Sequence, residues 1–176
     1  MNWKEFKPTI LFLIKFLGIY LSLNVMYGFY VTSYEPKPDP VTWQATQHTA
    51  IALSALGWES TTKEYEEKPS VAIVHNSKTI VSVYEGCNSL NVMIVFLAFV
   101  LSFGAKRKPL IWFLPIGLIL IYIINILRIA LLFLVSLKLP HFLYFTHKYL
   151  FTAVIYLFVI MLWFVWIRIQ SKPIVK

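Results

Sequence analysis

Three stretches of the chain, residues 9–31, 110–137 and 142–167, each hold about 20 or more predominantly apolar residues, the length that crosses a hydrocarbon core. A fourth, residues 90–104, is apolar but shorter. Composition agrees: 59% of the residues are hydrophobic, and the mean hydropathy is +0.69. Soluble chains are roughly 45–50% apolar, and a soluble domain this small has no interior large enough for the excess. The fold class that follows is an all-α polytopic membrane protein. It has about four transmembrane helices and forms a single integral membrane domain over residues 1–176.

The net charge of +8 is distributed for a bilayer, not for nucleic acid. The basic residues gather beside the apolar runs, at Lys4 and Lys7, at Lys106, Arg107 and Lys108, and at Arg168, Lys172 and Lys176. Residues 32–86 contrast with this, holding seven of the eight acidic residues against four lysines. Under the positive-inside rule one arrangement satisfies all three basic clusters: four spans, both termini cytoplasmic, and residues 32–86 as an extracytoplasmic insertion. The first run lacks a small-x-small site at its end (Tyr27, Gly28, Phe29, Tyr30), so it reads as an uncleaved anchor. Trp3, Trp112 and Trp166 read as interfacial belt residues.

The outer segment carries its own signals. Asp39 before Pro40 marks a helix start, and Gly57 its end. Between them Trp43, Ala50, Ile51, Leu53 and Leu56 describe a short amphipathic helix lying on the membrane. A charged stretch follows over residues 63–68. Residues 71–74 and 79–84 then flank Asn76 and Ser77 as a β-hairpin. Its second strand leads straight into Glu85, Gly86, Cys87, Asn88 and Ser89. A single cysteine forms no intrachain disulfide, so cysteine counting says nothing direct about the redox compartment.

Helical rise places three polar residues at one depth. Cys87 lies 17 residues and about 26 Å above Gly104, and Arg128 lies 18 residues and about 27 Å above Leu110. His147 lies 20 residues and about 30 Å above Ile167. All three reach the outer boundary of a core about 30 Å thick. Each has a plainer reading: a buried inert thiol, a snorkelling arginine, an interfacial histidine. Lys138 already anchors the helix end, which leaves Arg128 unexplained as an anchor. Asn125, three residues earlier on the same face, is placed to hold its guanidinium. Asn88 or Ser89 is placed to cap a helix whose N-terminus favours the Cys87 thiolate, and Asn91 faces the same side as Cys87. His141 competes with His147 for the proton-transfer role, whereas His48 and His75 belong to the outer surface.

A thiolate that attacks a carbonyl, a histidine that moves the proton and an arginine that stabilises the oxyanion are the parts of covalent acyl transfer. The sequence shows no metal-ligand spacing, phosphate loop or serine elbow. Cys87 within Glu–Gly–Cys–Asn–Ser–Leu, Arg128 within Asn–Ile–Leu–Arg–Ile and then His147 resemble the exosortase/archaeosortase family, most closely the small exosortase F type. The resemblance runs from about Val71 to the C-terminus. It implies a membrane-embedded cysteine transpeptidase of the bacterial inner membrane, with its active site at the extracytoplasmic face. Cys87, Arg128 and His147 would be its catalytic residues, and it would need no cofactor. The implied partner is a membrane-anchored protein with a recognition motif, a transmembrane helix and a basic C-terminal tail. Two features depart from the family: larger members carry more spans, and the common Cys–Ser–Gly is Cys–Asn–Ser here. The competing expectation is a non-enzymatic membrane assembly or export component in which Arg128 pairs with a lipid headgroup or a neighbour. A transporter would need polar residues across the full bilayer, and the inner halves of these helices supply few.

Overall fold

The computed structural model describes residues 3–65, 68–104 and 107–171. Lys106, Lys172, Lys176 and the side chain of Trp3 lie outside the described residues. Helix α1 (Trp3–Thr32) leads to α2 (Pro40–Ala55), then to strands β1 (Thr61–Tyr65), β2 (Ser70–His75) and β3 (Lys78–Tyr84). A 3₁₀ turn (Glu85–Cys87) precedes α3 (Leu90–Ser102) and α4 (Arg107–Lys138). Short helical turns over residues 140–150, including α5 (Leu143–Phe145), lead into α6 (Phe151–Ser171).

Three helices are long and apolar enough to cross a membrane: Phe6–Thr32, Lys108–Lys138 and Pro140–Ser171. Helix α3 is equally apolar but has 13 residues, about 20 Å at helical rise, against a core of about 30 Å. Its inner end is pinned where Trp166 Nε1 donates to the Phe103 carbonyl at 2.6 Å, satisfying an oxygen left free by the helix end. Trp166 is therefore a buried core residue and not an interfacial one; Trp112 is exposed.

Two apolar clusters organise the chain. The inner one packs Val92, Phe96 and Val100 of α3 against Ile121 of α4 and Ile155, Val159, Leu162 and Trp166 of α6. In lipid this contact rests on close packing, and Gly117 allows it. A Cβ there would come within 2.2 Å of the Phe96 ring. Helix α1 joins from one side through Phe12, edge-on to Phe99 and Phe103. Its other faces, with Leu13, Ile14, Leu21 and Phe29, are exposed, as suits a lipid-facing helix.

The outer cluster is a roof. Ala50 and Leu53 of α2, Ile73 of β2 and Val83 of β3 pack on Ile129, Ala130 and Phe133 of α4. The 32-residue α4 measures about 48 Å, well beyond a bilayer core. Its last third packs into the core of the roof. Aspartate 39 caps α2, accepting from the Val41 and Thr42 N–H groups, with Pro40 as first helical residue. The buried face of α2 differs from the expected stripe: Thr42, Ala45, Thr46, Thr49, Ala50 and Leu53 are inside, while Ile51 and Leu56 are exposed. Small residues let α2 lie against α4 and the sheet, so its buried face is a packed one within the roof. The hairpin turns at Asn76 and Ser77, both at positive φ, as a two-residue turn requires. The charged stretch contains a third strand: β1 pairs antiparallel with β2. Charged Lys63 and Glu64 suit an exposed edge.

Candidate active site

Strand β3 delivers Cys87 to the joint between roof and bundle. The chain leaves β3 at Tyr84, makes the 3₁₀ turn, and enters α3 at Leu90. Cys87 therefore stands in the turn, before the helix N-terminus instead of within its first turn. It is 5% exposed, and its Sγ lies 3.8 Å from His147 Nε2, within hydrogen-bond reach for sulfur. His147 belongs to a turn (Thr146–Leu150) whose hydrogen bonds widen to i→i+5, with the Phe151 N–H bonding to the Thr146 carbonyl. Such widened turns re-aim side chains and are frequent at functional sites. His141, in the Pro140–Phe142 turn, is exposed.

Arg128 comes from α4 and acts electrostatically on both His147 and Tyr84. Its Nε is buried without a hydrogen-bond partner among the described residues. Cys87 and His147 thus meet from two elements, and the Arg128 charge from a third acts on His147. Asn125 does not hold the guanidinium. It is fully buried, and its Nδ2 donates to the Cys87 carbonyl at 2.9 Å. Its target is the nucleophile's backbone. Asn91 is exposed on α3 and joins none of these hydrogen bonds.

The loop after Cys87 is tied down from several sides. Asn88 Oδ1 accepts from the Leu90 N–H at 2.9 Å, which closes the start of α3. Asn88 Nδ2 donates to Thr42 Oγ1 at 3.1 Å and reaches the Tyr27 hydroxyl at 3.5 Å. Thr42 in turn donates to Asp39, and Tyr27 donates to the Glu85 carbonyl at 3.0 Å. One buried network therefore links α1, α2 and the cysteine turn. Ser89 adopts φ 70°, the left-handed region glycine favours, so the Cys–Asn–Ser triplet keeps the backbone that a glycine third residue would ease.

Tyr84 is a site residue that the sequence did not single out. Its hydroxyl lies near the Cys87 sulfur and interacts with it electrostatically. Its phenol is pushed above its ordinary range by the charge of the adjacent Cys87 sulfur and then by burial. Gly86 makes room for its ring, since a Cβ there would lie 2.6 Å from it. Beside Cys87 and His147 opens a cavity of about 390 Å³, walled by β3, by Ile129 and Leu132 of α4, and by Leu143 and Tyr144. The arrangement brings a thiol into contact with an imidazole at the wall of an apolar cavity, and the Arg128 Nε is buried without a partner among the described residues. No family model, curated protein or solved structure matches this chain.

Proposed function

We propose that this protein is a membrane-embedded cysteine transpeptidase that cleaves C-terminal sorting signals of exported proteins through a thioester acyl-enzyme. The observation that carries the reading is the contact of Cys87 and His147 at 3.8 Å, with the Arg128 charge acting on His147 and a cavity lined by both Cys87 and His147. His147 takes the thiol proton and the Cys87 thiolate adds to the scissile carbonyl. The Arg128 guanidinium, through a donor that has no other partner, stabilises the oxyanion. Collapse breaks the peptide C–N bond, His147 returns the proton to the departing amine, and the substrate's N-terminal part remains as a thioester. An amine or water then attacks that thioester and frees Cys87.

Topology supports the same reading. With α3 as a fourth crossing, completed by the 3₁₀ turn above it and residues 103–104 below, both termini are cytoplasmic. The site then faces outward at the inner membrane of a bacterium. A substrate whose basic tail anchors its own helix inside would present the outer end of that helix at the depth of Cys87. The test is co-expression with an exported protein that carries a motif, transmembrane helix and basic tail. Native Cys87 should yield the shortened product and Cys87→Ala none; equal processing by both rules the function out.

A further inference from the structure

Strand β3 forms one edge of the three-stranded sheet, with β2 on one side only. Among the described residues no backbone hydrogen bond outside the sheet uses its other side. All five consecutive residues 80–84 line the cavity beside Cys87 and His147. Side chains alternate between the two faces of a strand, so a cavity touching five in a row runs along the strand's edge. The register fixes which groups meet it. A two-residue hairpin closes on a hydrogen-bonded pair, here His75 and Lys78. Pairing passes from Val74–Thr79 to Ile73–Val81, leaving Ile80 as a bulge. Ala72–Ser82 and Ser70–Tyr84 then fall at non-hydrogen-bonded positions. Ser82 and Tyr84 accordingly turn their N–H and C=O groups away from β2, and both residues are exposed.

We propose that this edge takes an extended, apolar polypeptide segment as an added strand and leads its carbonyl to Cys87. The proposal rests on the acyl-transfer reading above and specifies how that substrate is held. An unpaired strand edge offers alternating donors and acceptors, which only another extended main chain satisfies in series. Ile129, Leu132 and Leu143 face the edge across the cavity and would receive the segment's inward side chains. A lipid tail would fill the apolar wall but leave the edge unsatisfied. Recognition through the main chain also tolerates varied substrate side chains.

The test uses the full chain in detergent with two thiol-reactive peptides: acetylated Ala–Val–Val–Ala chloromethyl ketone and its analogue N-methylated at the two central amides. The thiolate displaces chloride in both, and iodoacetamide calibrates the intrinsic reactivity of Cys87. Strand addition predicts that the unmethylated peptide labels Cys87 about tenfold faster or more, the scale of one or two hydrogen bonds. Ser82→Pro removes the N–H that faces the cavity at an edge position where proline is compatible with a strand. It should erase most of that advantage when rates are normalised to iodoacetamide. Equal rates for the two peptides on the unaltered protein, with brisk iodoacetamide labelling, would overturn strand addition and leave the cavity to apolar or lipid-like ligands. Failure of iodoacetamide to label native Cys87 would overturn the acyl-transfer reading, and the proposal with it.

Discussion

Cys87, His147 and Arg128 were legible as single residues because each is out of place: a lone thiol after a strand, and two polar groups interrupting apolar runs. Counting helical rise brought His147 rather than His141 level with Cys87, and His147 is the one that meets it, since the helix from residue 147 to Trp166 is nearly continuous. Variants separate their roles. His147→Ala should lower processing by about 10²–10⁴, the usual worth of a positioned acid–base group. His141→Ala should process at close to the native rate. Arg128→Lys keeps the charge but loses the planar fork, and a loss of roughly 10²–10³ is expected. Matched membrane levels and a cleavage assay decide these, and a dead His141→Ala beside an active His147→Ala would reverse the assignment. Tyr84 escaped notice because an aromatic residue at the end of a strand is common; only the turn folding back over Gly86 sets it against the thiol. Its raised phenol pKa means the hydroxyl keeps its proton through the ordinary titration range near 10. Its contribution to stability is therefore full below that value and is lost as pH rises through the higher folded-state value. Through neutral pH it remains a protonated neighbour of the sulfur. Tyr84→Phe should slow iodoacetamide labelling of Cys87 at pH 7 by about three- to tenfold, the scale of one hydrogen bond. An unchanged rate would remove Tyr84 from the site.

At the scale of elements, local chemistry located what local chemistry controls. The Asp39–Pro40 start of α2, its end before Gly57 and the Asn76–Ser77 turn all follow from backbone preferences of those residues. Packing partners did not follow. The apolar stripe of α2 was chosen by hydrophobicity, but the face that is buried is the one whose alanines and threonines allow α4 close. Strand β1 lay hidden in a charged stretch because an edge strand needs no apolar alternation to pair. That Ile129, Ala130 and Phe133 also pack into the roof did not follow from the apolarity of residues 129–137. Asn125 could not be assigned from spacing either, since its partner is a backbone carbonyl 38 residues away in the chain. Gly117 is the sharpest test of the bundle contact. Gly117→Ala forces the fully buried Phe96 ring to move and should cost about 1–3 kcal/mol in detergent unfolding. No loss would show that α3 and α4 are not packed as described.

For the molecule as a whole, charge asymmetry implies an orientation and the two clusters give it a physical frame. The inner cluster closes at Trp166 and Phe103, and Cys87 meets His147 at the other end. Residues 147 and 166 are 19 apart, or about 28 Å of helix, close to one hydrocarbon thickness. Reporter fusions at Lys63 and at Lys108 should therefore lie on opposite sides of the membrane, with Lys108 cytoplasmic; matching locations would break the four-span arrangement. If Cys87 carries the substrate's acyl group, that bond can be seen. The protein is co-expressed with a tail-bearing substrate, quenched in acid, and analysed by mass spectrometry with and without hydroxylamine. A hydroxylamine-sensitive adduct is expected on Cys87, missing from Cys87→Ala and greatly reduced in His147→Ala. Substrate processed to completion by Cys87→Ala, with no such adduct on the native protein, would contradict acyl transfer through Cys87.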